Sequence, residues 1–174
     1  MIPAALTTGI ALDADAAFER VVRERQAQVL RTAYRMLGNW ADAEDVAQEV
    51  FVRLYRHGLD FSSDALLGGW VYRVTVNLCL DRARSARPAE ELVSGGTVDA
   101  TAEARLLYEE RKQRLMRALS MLPAKERAAL VLREIEGLET AEVAAILGSS
   151  EGTVRSQVSR AMDRLREILT REAR

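Results

Sequence analysis

The residues best suited to chemistry in this chain are ones that grip a polyanion, not ones that break bonds. Between Glu151 and Arg160 the sequence places Gly152, Arg155, Ser156, Ser159 and Arg160 around Val154, Val158, Ala161, Leu165 and Leu169, which step by three or four residues. On a helix that apolar stripe is the buried side, so the arginines and serines face outward near the first turns. Guanidinium groups and short hydroxyls at the start of an exposed helix suit base edges and phosphates in a DNA major groove. Ser149 or Ser150 can cap this helix, whose N-terminus also favours a phosphate. A second polar stripe, Arg73, Asn77, Asp81 and Arg84, starts beside Trp70. Arginine binds phosphate, asparagine reads base edges and an indole can stack on or wedge against an unpaired base, so this set predicts contact with melted or single-stranded DNA. Trp70 taken alone serves equally as a core anchor. A third set, Asp42, Asp45 and Glu49 with Val52 among them, is either a solvated face or a dock for a basic helix.

Bond-making constellations are missing from this reading. The acids of the third set have no His or Cys nearby, so paired-carboxylate catalysis and metal binding are not expected, and neither is a cofactor. His57, beside Gly58, reads as a helix-end residue. Cys79 stands alone, which excludes an internal disulfide and a cysteine-built zinc site and suits a reducing cytoplasm.

These side chains need helices to hold them, and the composition supplies helix formers. The chain has 174 residues, 29% of them charged, three prolines and few aromatics, the balance of a soluble all-α protein of one ordinary or two small domains. The net charge of −1 is poor for a nucleic-acid binder until its distribution is considered. Asp42, Glu44, Asp45 and Glu49 form an acidic block, Arg73, Arg82, Arg84 and Arg87 a basic one, and Glu90, Glu91, Asp99 and Glu103 an acidic one again. Alternating blocks predict more than one kind of partner. No apolar run approaches the roughly 20 residues of a membrane span, and the N-terminus lacks the basic region and cleavage site of a signal peptide.

Periodicity and breakers predict helices over about 15–37, 41–56 and 70–85, with a loop from Asp60 to Gly69 marked by Ser62-Ser63-Asp64 and Gly68-Gly69. Val71, Val74, Thr75 and Leu78 are the predicted core side of the third helix. Residues 89–102, with Ser94-Gly95-Gly96-Thr97, read as a flexible linker. Further helices are predicted over about 102–121, 124–136, 140–147 and from Ser150 to about Thr170. The last two, joined by Gly148-Ser149-Ser150 and with Val143, Ala144 and Leu147 inward, have helix-turn-helix form, although an ordinary helical hairpin shares the pattern.

Four segments together, Asp42-Ala-Glu-Asp-Val-Ala-Gln-Glu-Val-Phe-Val-Arg-Leu-Tyr-Arg, Trp70-Val-Tyr-Arg-Val-Thr-Val-Asn77, Leu122-Pro-Ala-Lys-Glu-Arg and Gly152-Thr-Val-Arg-Ser, make the chain resemble the bacterial extracytoplasmic-function (ECF) sigma factors of the sigma-70 family. The resemblance implies an N-terminal extension (1–13), a sigma-2 domain (14–88), a linker (89–105) and a sigma-4 domain (106–174). It implies that Asp42, Asp45, Gln48, Glu49 and Val52 dock on the β′ clamp helices of core RNA polymerase. Phe61, Ser62, Ser63, Asp64, Trp70, Arg73, Asn77 and Arg84 would open and hold the −10 element, the loop capturing a flipped base. Ser150, Gly152, Thr153, Arg155, Ser156, Ser159 and Arg160 would read the −35 element, while sigma-4 meets the polymerase β flap. An anti-sigma factor, often membrane-bound, is implied as a further partner, and the cytoplasm as the location. A linker of about 15 residues spans at most roughly 50 Å, enough with two domain radii to cover about two turns of B-DNA at about 34–36 Å each. Gln157 and Met162 depart from the family, standing where basic residues are common, and are expected to alter DNA preference. Two other readings compete: a stand-alone helix-turn-helix regulator, which has no use for an acidic polymerase dock, and a helical interaction module with no role on DNA.

Overall fold

In the computed structural model, which describes residues 4–85 and 102–172, every regular element is helical. They are α1 (Ala4–Leu37), α2 (Trp40–His57), α3 (Asp64–Ser85), α4 (Ala102–Ser120), α5 (Ala124–Leu130), α6 (Thr140–Leu147) and α7 (Glu151–Glu172). α5 runs on into a π-helical turn, Val131–Ile135. Most of the linker expected over 89–105 lies outside the described residues; its last four residues belong to α4. α1 starts at Ala4, well before the expected start near Asp15. Among the described residues no helix is long and apolar enough to cross a membrane.

The helix ends follow local chemistry. Asn39 caps α2, its side-chain oxygen accepting from the Asp42 amide at 3.2 Å. Gly58 ends the same helix at φ +83° and Gly148 ends α6 at φ +60°, a left-handed geometry that glycine adopts without strain. Ser150, not Ser149, caps α7: its hydroxyl accepts from the Thr153 amide at 3.1 Å.

The predicted loop Asp60–Gly69 is shorter than expected. Ser63 accepts from the amides of Leu66 (through its hydroxyl, 3.3 Å) and Leu67 (through its carbonyl, 3.2 Å), so α3 begins at Asp64 and runs through both glycines. Gly68 is buried, and a Cβ there would stand 3.8 Å from the Arg25 guanidinium. The glycine pair that signals a turn is therefore helical here, with ordinary room for a Cβ at Gly68 and open space at Gly69.

α1, α2 and α3 pack around Val29, Ala33, Met36, Val46, Val50, Leu54, Val71, Val76 and Cys79. The inward side of α3 is turned slightly from its expected phase: Val71, Thr75, Val76 and Cys79 are buried, while Val74 and Leu78 only partly are. Each fully buried Val or Leu contributes about 1.5–3 kcal/mol. α4, α5 and α7 enclose a smaller cluster, Leu119, Leu122, Leu130 and Ala161. Other buried residues of this half, Ala128, Leu132, Val143, Ala144, Ile146 and Val154, belong to the same continuous core as α1–α3. The two halves are thus welded along α1, α3, α5 and α6.

Candidate nucleic-acid interface

The three predicted sets occupy three different surfaces. On α7, Gly152, Thr153, Arg155, Ser156, Ser159 and Arg160 are exposed, and Val154 and Ala161 are buried. Arg155 pairs with Glu151 one turn back at 2.6 Å. The Ser156 hydroxyl donates to the Gly152 carbonyl at 2.9 Å. Arg160 is engaged more deeply: with Arg164 it pairs with Glu126 of α5, at 3.4 and 3.1 Å, and that carboxylate is largely buried. Arg155 and the hydroxyls at the helix start lie clear of the body of this half.

Gln157 corrects the expectation placed on it. It is 9% exposed, one turn from Val154 on the packed side of α7, and its Oε1 lacks a hydrogen-bond partner. A residue buried there cannot face a groove, so its departure from a basic residue concerns packing. Met162 does remain on the surface.

The second set gathers around the start of α3. Phe61, His57 and Trp70 form an aromatic trio, with His57 stacked on Phe61 at 5.2 Å and tilted against Trp70 at 5.1 Å. Phe61 meets Trp70 edge-on at 6.0 Å. Trp70 is half-buried against the core, so its anchoring role is real, and the trio presents an aromatic rim beside exposed Ser62 and Ser63. Asp64 is not a free loop acid. Its carboxylate receives Arg25 at 2.5 Å, and that hydrogen bond and the arginine's charge hold it below the usual carboxylate range. Further along, Asn77 is exposed, Arg84 pairs with Asp81 at 3.2 Å, and Arg73 donates to the Ala145 carbonyl of α6 at 2.9 Å.

On α2, Asp45, Gln48 and Val52 are exposed, and Asp42 and Glu49 are half-buried. The acids are partly answered from within the chain: Arg82 of α3 lies 3.3 Å from Asp42 and 3.5 Å from Asp45, and Arg53 lies 2.7 Å from Glu49. Arg82, counted in the basic block, therefore belongs to the acidic surface. Exposed ion pairs of this kind are worth about 0–1 kcal/mol and exchange readily for a better partner. Val52 and the adjacent Tyr55, 43% and 62% exposed, add an apolar patch, of which Tyr55 was not singled out from the sequence.

Sequence reasoning also missed two buried polar centres between the halves. Arg127 of α5 donates to the Met36 carbonyl at the end of α1 and to the carbonyls of Ser120 and Leu122 at 2.6 and 3.0 Å. Burial lowers its pKa from the usual arginine value, and three helix-end carbonyls take the place of an acid. Glu136 accepts from Thr32 and Arg35 of α1 at 3.0 and 2.6 Å, and from the Tyr72 hydroxyl of α3 at 3.1 Å. Burial first, and the Glu136 carboxylate second, push the Tyr72 hydroxyl up to about 12. Their spacing, about a hundred residues from Thr32 and Arg35 to Glu136, carries no local signal.

Comparison with known proteins identifies both parts of the chain. A family described as Sigma-70 region 2 matches residues 21–100, and Sigma-70, region 4 matches residues 112–165. The ECF RNA polymerase sigma factor SigE of Mycolicibacterium smegmatis is 36% identical over 163 residues, 90% of this chain and 63% of SigE, so the chain spans under two thirds of that relative's length. The ECF RNA polymerase sigma factor SigM of Mycobacterium tuberculosis is 34% identical over 158 residues, 88% of this chain and 77% of SigM. The sigma factor RpoE of Bartonella quintana, solved in complex with the anti-sigma factor NepR, shares the fold with a TM-score of 0.68 at 21% identity, over 88% of this chain and 97% of that one.

Proposed function

The chain belongs to the ECF sigma factors of the sigma-70 family, and we propose that it binds core RNA polymerase, directs it to specific promoters and helps to melt the −10 region. It acts as an initiation factor without catalytic activity of its own, in the cytoplasm. The observation that carries this reading is the coexistence, in one chain, of an acidic-apolar face on α2 and two separate exposed polar sets on α3 and α7. A stand-alone helix-turn-helix regulator leaves the first two without use.

Asp42, Asp45, Gln48, Glu49 and Val52 form the polymerase dock: the carboxylates give up Arg82 and Arg53 for basic groups of the β′ clamp helices, and Val52 supplies apolar contact. Ser150, Gly152, Thr153, Arg155, Ser156, Ser159 and Arg160 serve the −35 element, with Arg155 and the α7 N-terminus leading. Phe61, Ser62, Ser63, Trp70, Arg73, Asn77 and Arg84 serve the −10 element, and Asp64 acts there through Arg25 by fixing the start of α3. An anti-sigma factor is the partner that restrains the chain, and membrane attachment comes through such a partner.

Run-off transcription with core polymerase on a cognate promoter tests the reading. A new start site that depends on the chain is expected; tight binding to duplex DNA alone, with no start site, would defeat it. In the same assay Asn77→Ala should lower open-complex formation roughly ten-fold or more, a loss of about 1–3 kcal/mol for one base contact, with little change in closed-complex binding. Equal loss of both would remove Asn77 from the melting step.

A further inference from the structure

The second helix of the helix-turn-helix carries a charge arrangement that contact with base edges does not require. Arg160 and Arg164, one turn apart on α7, both bring their Nε to Glu126 of α5, Arg160 lying 3.4 Å from Oε1 and Arg164 3.1 Å from Oε2. The two arginine side chains stay largely in solvent, 59% and 55% exposed, whereas the carboxylate they share is 12% exposed. Oε2 is buried and, despite the short distance, receives no aligned hydrogen bond. Charge holds that contact more than bond geometry does, so the arginine can be drawn away. An acid in the first turn of a helix complements its dipole, and Glu126 is so placed in α5. That accounts for a carboxylate at this position but not for its burial beneath two arginines.

We propose that Glu126 makes DNA reading by α7 selective, by holding Arg160 and Arg164 in one alignment that only a correctly placed backbone phosphate can use. The proposal rests on the assignment of α7 to the −35 element, and it adds Arg164 to that set as a phosphate contact. A guanidinium donates through Nε and through both terminal nitrogens. With Nε turned to Glu126, the terminal groups remain for DNA. A phosphate in register accepts from them and leaves the ion pairs in place. A phosphate out of register has to draw the arginines off, and a buried carboxylate left without its counter-charge is strongly unfavourable. Phosphate contacts carry no sequence information of their own but fix the register of a protein on the duplex. Restricting them to one register brings Arg155 and the α7 hydroxyls to base edges and penalises other placements. The same carboxylate also cancels one of two positive charges, which weakens attraction to DNA of any sequence.

The test uses the full chain assembled with core RNA polymerase and two probes: a pool of duplexes of randomised sequence, and the duplex that the unsubstituted assembly selects from that pool. Glu126→Gln keeps the size of the side chain and removes its charge, whereas Glu126→Asp keeps the charge and shortens the side chain. On the randomised pool Glu126→Gln should bind several-fold more tightly at moderate salt. Its slope of log affinity against log salt should steepen by about 0.9, the increment for one more phosphate neutralised. Its preference for the selected duplex over the pool should fall about ten-fold, the scale of one base contact. Glu126→Asp should keep the unsubstituted slope and most of the preference. The opposite order, with Glu126→Asp the more damaging and Glu126→Gln unchanged in slope, would reduce Glu126 to a packing residue and overturn the proposal. Exposed Arg164 gives a second route where Glu126→Gln disturbs the fold. Arg164→Ala should flatten the slope by about 0.9 and lower the preference, and an unchanged slope there would overturn the proposal as well. If the unsubstituted assembly selects nothing beyond what core polymerase alone retains, the −35 reading falls, while the slopes on the randomised pool still decide for or against Glu126.

Discussion

The two halves of this molecule are stabilised by different means. The α1–α3 half has an apolar interior in which Thr75 donates to the Val71 carbonyl one turn back at 2.7 Å, while buried Thr32 reaches across to Glu136 at 3.0 Å. The α4–α7 half holds only four residues in its private core and spends its interior on Glu126, Arg127 and Gln157. Six more of its buried residues, Ala128, Leu132, Val143, Ala144, Ile146 and Val154, join the core shared with the other half. A domain with a core of its own can be moved as a rigid body. One that completes its core against a neighbour is a poorer domain alone, and its integrity is tied to that neighbour.

Arg127 should break this comparison most sharply. Arg127→Met leaves the carbonyls of Met36, Ser120 and Leu122 without their donor, a loss of about 2–4 kcal/mol. Hydrogen exchange followed by mass spectrometry should show protection falling across α4–α7 while α2 and α3 keep theirs. A uniform loss would mean that the two halves form a single cooperative unit.

Alkaline pH should act on the other half first. Burial pushes the Cys79 thiol up to about 12 from 9.0, and Tyr72 rises to about 12 from 10.0. The folded chain keeps these protons at a pH where the unfolded chain has released them. Their contribution is therefore complete below pH 9 and falls as pH rises toward 12, by up to about 1.4 kcal/mol per pH unit for each proton. Urea midpoints at about pH 8 and about pH 10.5 should differ, and Cys79→Ala should remove the part of the difference that begins below pH 10. An unaltered pH dependence in that variant would place the effect outside the α1–α3 core.

The smallest effect belongs to Gln157. Gln157→Leu removes an acceptor with no partner and fills the same space, which should raise stability by about 1 kcal/mol and leave the DNA footprint of α7 intact. A weakened −35 footprint would return Gln157 to the reading face.

Legibility in the sequence divides along the same physical line. Where a helix is specified by its own period and punctuation, as with Gly148 ending α6 or both ends of α2, reading and structure agree to within a residue or two. The reading also separated outward from inward residues on α7, except at Gln157, where a polar side chain lies on the packed face and periodicity alone cannot tell which neighbour wins. The start of α3 differs from the reading because Gly68-Gly69 signals a turn in isolation, whereas the Ser63 cap and the Arg25–Asp64 pair start the helix ahead of them. Arg82, Arg127 and Glu136 were beyond reach for a simpler reason. Their partners lie 40, 91 and up to 104 residues away, and no local pattern records such pairings.

The glycine pair at the start of α3 has an energetic consequence. Two glycines in a helix make it less favourable than two alanines would by about 2 kcal/mol, and here they lie within the first two turns, held by the Ser63 cap and the Arg25–Asp64 pair. Residues 64–69 are thus the cheapest backbone in α3 to unravel, and unravelling would return them to the loop that their sequence signals. Their amides should exchange with solvent ahead of those from Val71 onward. The stretch of chain beside the aromatic rim is then the part of α3 that costs least to unwind.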